Sequence, residues 1–270
     1  MRSIRRGALA ATAGTALLLS GCASSGTDDD ASAEPMTLQV AAVTSPMTDV
    51  VEAAAEAIDG DYEIELVEIS DYVTANTILN DGDVYANFSQ HVPYMESFNE
   101  ANDGTLVGVQ PVYNFVIAFY SKTLTDIDDL PDGATVAIPD DPSNTGRALK
   151  LLADEGIIAI DPAIDPFTAT PDDIAENPKD LEFLQVAITQ LNTAYDEADL
   201  VFQWPSHIAA LGLTPQDDGL ITELDDRFAL DLVVREEDED SDATEALKAA
   251  FTSDEVRDVI ESNGTITVAF

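Results

Sequence analysis

The segment Asp140-Asp141-Pro142-Ser143-Asn144-Thr145-Gly146-Arg147 holds the residue types best suited to gripping a small anion. It follows the strand-like run Ala134–Ile138 and opens a helical stretch from Ser143 to Glu155. Ser143 or Asp141 can cap that helix, and the free N–H groups of its first turn attract negative charge. Asn144 and Arg147 are three apart, which puts both on one side of the turn. A guanidinium there matches a carboxylate through two parallel hydrogen bonds. The competing reading pairs Arg147 with one of the chain's 53 acidic residues.

A second strand-to-helix junction is Asn87-Phe88-Ser89-Gln90-His91-Val92-Pro93-Tyr94. His91 and Tyr94 offer aromatic surface with polar tips, and a lone histidine serves equally well as a helix cap or a packed core residue. Tyr72 stands after Ser70-Asp71 at another strand end. Trp204 is the only tryptophan and follows a further strand; packing is its default role. Ligands of open α/β sheets sit at such strand ends. Reactive chemistry has no comparable support. There is one cysteine and no phosphate loop, and His207 has no nucleophile in local spacing. Histidine/cysteine metal sites are excluded by count, and no calcium-loop spacing is present. The expectation is a binding protein with no catalytic residues, no cofactor and no metal.

Cys22 closes Leu19-Ser20-Gly21-Cys22, after Arg2, Arg5, Arg6 and an apolar run from Gly7. A basic start, a short apolar core and small residues before a cut describe a secretory signal over residues 1–21. The run is too short to span a bilayer, which takes about 20 residues. With cysteine first after the cut, the pattern resembles the bacterial lipobox. That resemblance implies diacylglycerol on Cys22 and anchoring to the outer face of a cell membrane. Residues 22–35 then form a small-residue, acidic tether.

Beyond the signal, eight basic residues face all 53 acidic ones. Such a surface repels nucleic acid and anionic headgroups. Disorder does not follow, because 45% of residues are hydrophobic. The even spread of acids points to a saline habitat, with salt screening the self-repulsion.

Strand and helix patterns alternate. Strands are expected at 37–43, 62–69, 84–88, 106–112, 114–120, 134–138, 181–187, 199–202 and 228–234. Helices are expected at 46–58, 73–79, from 94, and at 143–155, 244–251 and 254–262. This is an α/β chain with mostly parallel sheets in two lobes. The lobes are expected at 36–112 with 225–270 and at 113–224, the crossings falling near 110–116 and 220–228.

In order along the chain stand Ser70-Asp71-Tyr72-Val73, Asn87 to Tyr94, Val136 to Arg147, Glu176 to Leu181, Gly212-Leu213-Thr214-Pro215 and Ser253-Asp254-Glu255-Val256. Together they resemble the NlpA/MetQ family of substrate-binding lipoproteins of methionine uptake transporters. The resemblance implies a type II-like periplasmic-binding-protein fold, a hinge and an interlobe cleft. It implies that Arg147 grips the carboxylate of a free amino acid, most simply L-methionine, and that Asn144 bonds its polar end. Tyr72, His91 and Tyr94 would line the side-chain pocket. The implied partner is an ABC permease with a cytoplasmic ATPase, and the receptor is expected to be a monomer.

Two positions depart from the family's pattern. Ser89 stands where an aromatic is usual, and Phe88, one residue early, would turn to the opposite face of its strand. Gln203-Trp204 stands where the family has an asparagine; Trp204 can supply aromatic surface and Gln203 an amide. Alternatives are a receptor for another amino acid or short peptide, a periplasmic dehydratase-like enzyme, and an adhesive or signalling lipoprotein. On this reading Arg147→Ala removes binding and leaves the fold intact.

Overall fold

The computed structural model describes residues 35–270, so the signal, Cys22 and the rest of the tether up to residue 34 lie outside the described residues. The first half of the chain forms β1 (Met36–Ala42), α1 (Met47–Ala57), β2 (Tyr62–Glu68), α2 (Tyr72–Asn80), β3 (Ala86–His91), α3 (Val92–Asn102), β4 (Leu106–Phe115) and β5 (Ile117–Tyr120). Next come β6 (Thr135–Pro139), α4 (Pro142–Asp154), β7 (Ala159–Ile160), β8 (Ile174–Glu176), β9 (Glu182–Val186), α5 (Leu191–Ala194), β10 (Leu200–Gln203) and α6 (Pro205–Ile208). The chain closes with α7 (Pro215–Asp218), β11 (Ile221–Glu223), β12 (Leu230–Arg235), α8 (Asp242–Phe251), α9 (Asp254–Asn263) and β13 (Ile266–Val268).

The strands make a two-lobed α/β fold. One sheet runs β13-β4-β12-β3-β1-β2 and the other β11-β5-β10-β6-β9. Leu38, Val40, Ala41 and Ala42 of β1 are wholly buried, the mark of a strand covered on both faces. Val50, Val51 and Ala54 of α1 recur at helical spacing and are wholly buried in the same core.

The expectation of mostly parallel sheets needs correction. β1 pairs in parallel with β2 and β3, and β6 with β9 and β10, through helical crossovers. β12 lies antiparallel to β3 and β4, β13 to β4, and β5 to β10 and β11. Parallel pairing needs a long crossover, and the chain passing between sheets runs straight from strand to strand. β4 also continues to Phe115, past the expected lobe edge at 112, because Tyr113, Asn114 and Phe115 pair with β13. Val116 then separates it from β5 of the other sheet. On the return, residues 224–229 separate β11 from β12; Asp226–Phe228 form a 3-10 turn capped by Asp225, so the strand expected from Phe228 begins at Leu230.

All eight basic side chains of the described residues have partners. Six form ion pairs: Lys122 with Asp196, Arg147 with Glu223, Lys150 with Asp154, Arg227 with Asp225, Arg235 with Glu237 and Asp238, and Lys248 with Glu245. Lys179 donates to the Leu130 carbonyl, and Arg257 lies over the Phe270 ring. Most carboxylates are therefore left to repel one another.

Asp231, on β12, is buried beside Val92 and Gly108, and burial raises its pKa from 3.8 to about 7. A carboxyl raised in the folded state contributes stability below about pH 4 and loses it as pH climbs through 7. Asp231→Asn is therefore expected to stabilise the protein at pH 8, on the order of 2–4 kcal/mol, and to be near neutral at pH 4. Thermal melts at the two pH values check this; an equal shift at both contradicts it.

Candidate functional site

Four helices begin at the cleft between the sheets, each directly after a strand or a short turn. Asp71 caps α2 by accepting from the Thr74 N–H, which sets Tyr72 in the first turn. His91 ends β3 and caps α3, its Nδ1 accepting from the Tyr94 N–H at 3.1 Å. Asp141 caps α4 through the Asn144 N–H at 3.0 Å. Trp204 follows β10 and is the N-cap residue of α6.

Between the lobes lies a narrow cavity, about 330 Å³ when its opening to solvent is counted. Met47, Tyr72, Ser89, His91 and Tyr94 line it from the first lobe. Asn144, Ile188 and Trp204 line it from the second. Phe115 and Leu230, at the ends of the two crossings, close it. The walls are mainly apolar, and the polar groups are few. Gln90 is one of them, tied to Asn76 and Asn87 in a buried amide network. Ser89 is another; its hydroxyl is buried and unpartnered.

One hydrogen-bonded chain spans the cleft. Because His91 Nδ1 accepts from Tyr94, the neutral ring carries its proton on Nε2 and donates to Asn144 Oδ1 at 2.9 Å. Asn144 Nδ2 in turn lies 3.1 Å from each Asp141 carboxylate oxygen. Burial, aided by the charge of Arg147, lowers the His91 pKa from 6.5 to about 3. Burial raises Asp141 against the bonds it accepts. Burial likewise pushes the Tyr72 and Tyr94 hydroxyls well up, and the Tyr94 hydroxyl also feels Asp141, Asp140 and Asp71.

Arg147 is a buried side chain behind the cavity rather than a lining residue. Its Nε donates to Glu223 Oε2 at 2.8 Å, and its guanidinium carbon lies 4.0 Å from the Phe228 ring centre. Its Nη1 is buried and has no partner. Burial lowers its pKa, and Glu223 pushes back. The fold-intact expectation for Arg147→Ala is therefore corrected: the side chain is part of the packing. Gly146 has a packing reason too. A Cβ there would come 2.4 Å from the Phe167 carbonyl oxygen, so only glycine lets that segment close over α4. Phe167 then tilts against Phe228 at 5.7 Å.

Besides Arg147, two candidate residues do not reach the cavity. Phe88 is wholly buried on the other face of β3, edge-on to Tyr113 at 5.5 Å and Phe251 at 5.1 Å. The alternation of strand side chains puts Ser89 at the cavity instead. Gln203 has both amide ends engaged: Nε2 with Asn192 Oδ1 and Oε1 with the Trp204 N–H, each at 2.9 Å. It holds the strand end and offers nothing to a ligand. Met47, Gln90, Phe115, Ile188 and Leu230 line the cavity without having been expected there. Met47 starts α1 just after β1, so the strand-end rule could have found it. Phe115 and Leu230 owe their place to the crossings and carry no local signal.

The sequence matches the NlpA lipoprotein family over residues 38–268. It is 34% identical over 245 residues to the D-methionine-binding lipoprotein MetQ of Salmonella typhi, covering 89% of this chain and 88% of that one. The fold matches a nutrient binding protein from Burkholderia cenocepacia bound to methionine, with a TM-score of 0.82, 31% identity, and 86% of this chain and 100% of that one covered. It also matches lipoprotein Tp32 from Treponema pallidum, with a TM-score of 0.82, 31% identity, and 87% and 100% covered. With nearly the whole folded region matched in sequence and in shape, the chain belongs to the NlpA lipoprotein family.

Proposed function

We propose that this protein is a lipid-anchored receptor of an ABC importer that captures methionine between its two lobes. The observation that carries the reading is the interlobe cavity, bridged by the His91–Asn144 bond and walled by Tyr72, Tyr94 and Trp204. The ligand's carboxylate goes to the α4 end, where Asn144 and His91 line the cavity and Nη1 of Arg147 has no other partner. Its side chain lies against the aromatic walls. Lobe closure is a hinge motion at Val116 and residues 224–229, favoured by contacts from both sides.

The role is capture rather than catalysis. The cavity's histidine has both ring nitrogens engaged, so it is not free to act as a base. Cys22 carries the lipid, and the permease and its ATPase receive the ligand. The acidic surface suits a saline medium.

Trp204 is the only tryptophan, so its fluorescence reports the cavity directly. Protein unfolded and refolded in high salt to strip ligand should show a saturable, one-to-one change with methionine. Both enantiomers are titrated, since the Salmonella relative is named for the D form. No response to either enantiomer, against a response to another amino acid, would reassign the ligand. Appearance of a product would favour an enzyme.

A further inference from the structure

Tyr72 and His207 come from opposite lobes and meet at the cleft: Tyr72 Oη and His207 Nε2 are 2.7 Å apart. Tyr72 opens α2 of the first lobe, and His207 sits on α6 of the second, three residues after Trp204. Their rings are edge-on, with centroids 6.0 Å apart. His207 lines no part of the methionine cavity, yet it is held in place. Its carbonyl accepts from Asn192 Nδ2 at 2.8 Å, and Asn192 is held by Gln203 at the end of β10.

Tyr72 has a second distinction. A further pocket, about 360 Å³ when its opening to solvent is counted, adjoins the first and shares Tyr72, Tyr94 and Ile188 with it. Its other walls include Asp71, Asp140 and Asp141. The Tyr72 and Tyr94 rings, edge-on at 6.4 Å, therefore form the partition between an inner, mainly apolar chamber and an outer, acidic one. The hydroxyl that would let the Tyr72 ring swing is the one His207 holds.

We propose that His207 is a positioning residue that locks Tyr72 as a bar between the two chambers and so sets how long a ligand stays inside. The proposal rests on the two-lobed receptor reading above. The bond joins opposite lobes, so it exists only when they are closed and stabilises that state alone. It touches no ligand atom in the inner chamber's polar end, so it slows escape more than it speeds entry. One such hydrogen bond corresponds to roughly a 2- to 13-fold change in rate.

The test is stopped-flow Trp204 fluorescence with methionine on the full chain, Tyr72→Phe, His207→Ala and the double variant. Tyr72→Phe keeps the ring and its packing, so that arm stays readable if His207→Ala folds poorly. Each single change should raise the dissociation rate roughly 2- to 13-fold. The association rate should stay nearly constant, and the double variant should be no faster than the faster single. A purely structural role would lower stability without raising dissociation selectively over association. Unchanged dissociation, or effects that multiply in the double variant, would overturn the lock. If the unaltered chain ignores methionine, the ligand assignment fails by itself. The same four chains are then compared without ligand by single-molecule energy transfer between dyes on the two lobes. An equal loss of the closed population in all three variants supports the lock, and an unchanged population overturns it.

Discussion

Arg147→Ala is expected to abolish methionine binding and to cost about 3–5 kcal/mol of folding stability. The guanidinium is 2% exposed, paired with Glu223 and stacked on Phe228. Truncation leaves the Glu223 carboxylate without its partner, only 19% of its side chain exposed, and opens a void beside an aromatic ring. On the proposed reading it also removes the buried, unpartnered Nη1 group that receives the ligand's carboxylate. The two losses can be separated. Adding Glu223→Gln removes the stranded charge, so denaturant unfolding should show much of the stability regained while titration shows binding still absent. A double variant that regains both would place the carboxylate elsewhere.

Acid should open the cleft. His91 is held neutral, with its pKa lowered to about 3, and His207 to about 4; burial is the main cause in both. A histidine lowered in this way stabilises its closed, neutral form above pH 6.5 and loses that contribution as pH falls toward the lowered value. At pH 4.5, two units below 6.5, His91 alone contributes a penalty of about 3 kcal/mol. The partly exposed His207 adds less. Both rings make bonds between lobes, so part of the penalty falls on closure. Methionine affinity should therefore weaken, by up to about 100-fold, between pH 6.5 and 4.5 while circular dichroism stays native. The acidic surface loses repulsion over the same range and works the other way, so His91→Gln is the control, and its profile should flatten. A flat profile in the unaltered protein would contradict the assignment. Asp231 has the opposite sign: its contribution is full below about pH 4 and is lost progressively as pH rises to about 7.

Much of the site was legible because open α/β sheets present it at strand ends. Tyr72, Ser89, His91, Tyr94, Asn144 and Trp204 all follow or end a predicted strand, and all line the cavity. The pleat also told Phe88 from Ser89, since adjacent residues of a strand face opposite ways. What stayed hidden depends on distant pairings. Glu223 is one acid among 53, and nothing local marks it as the partner of Arg147. His207 looked idle because Tyr72 lies 135 residues away. The antiparallel pairings are hidden for the same reason: local pattern reveals a strand but not the neighbour it joins.

The most direct test of the account is a crystal structure of the refolded protein grown with methionine. The account predicts the ligand in the interlobe cavity, its carboxylate within hydrogen-bond distance of Asn144 and Arg147 Nη1, and its side chain against Trp204 and Tyr72. Methionine bound with its carboxylate toward Asp71 and Asp140, or found outside the cleft with the cavity empty, would contradict it.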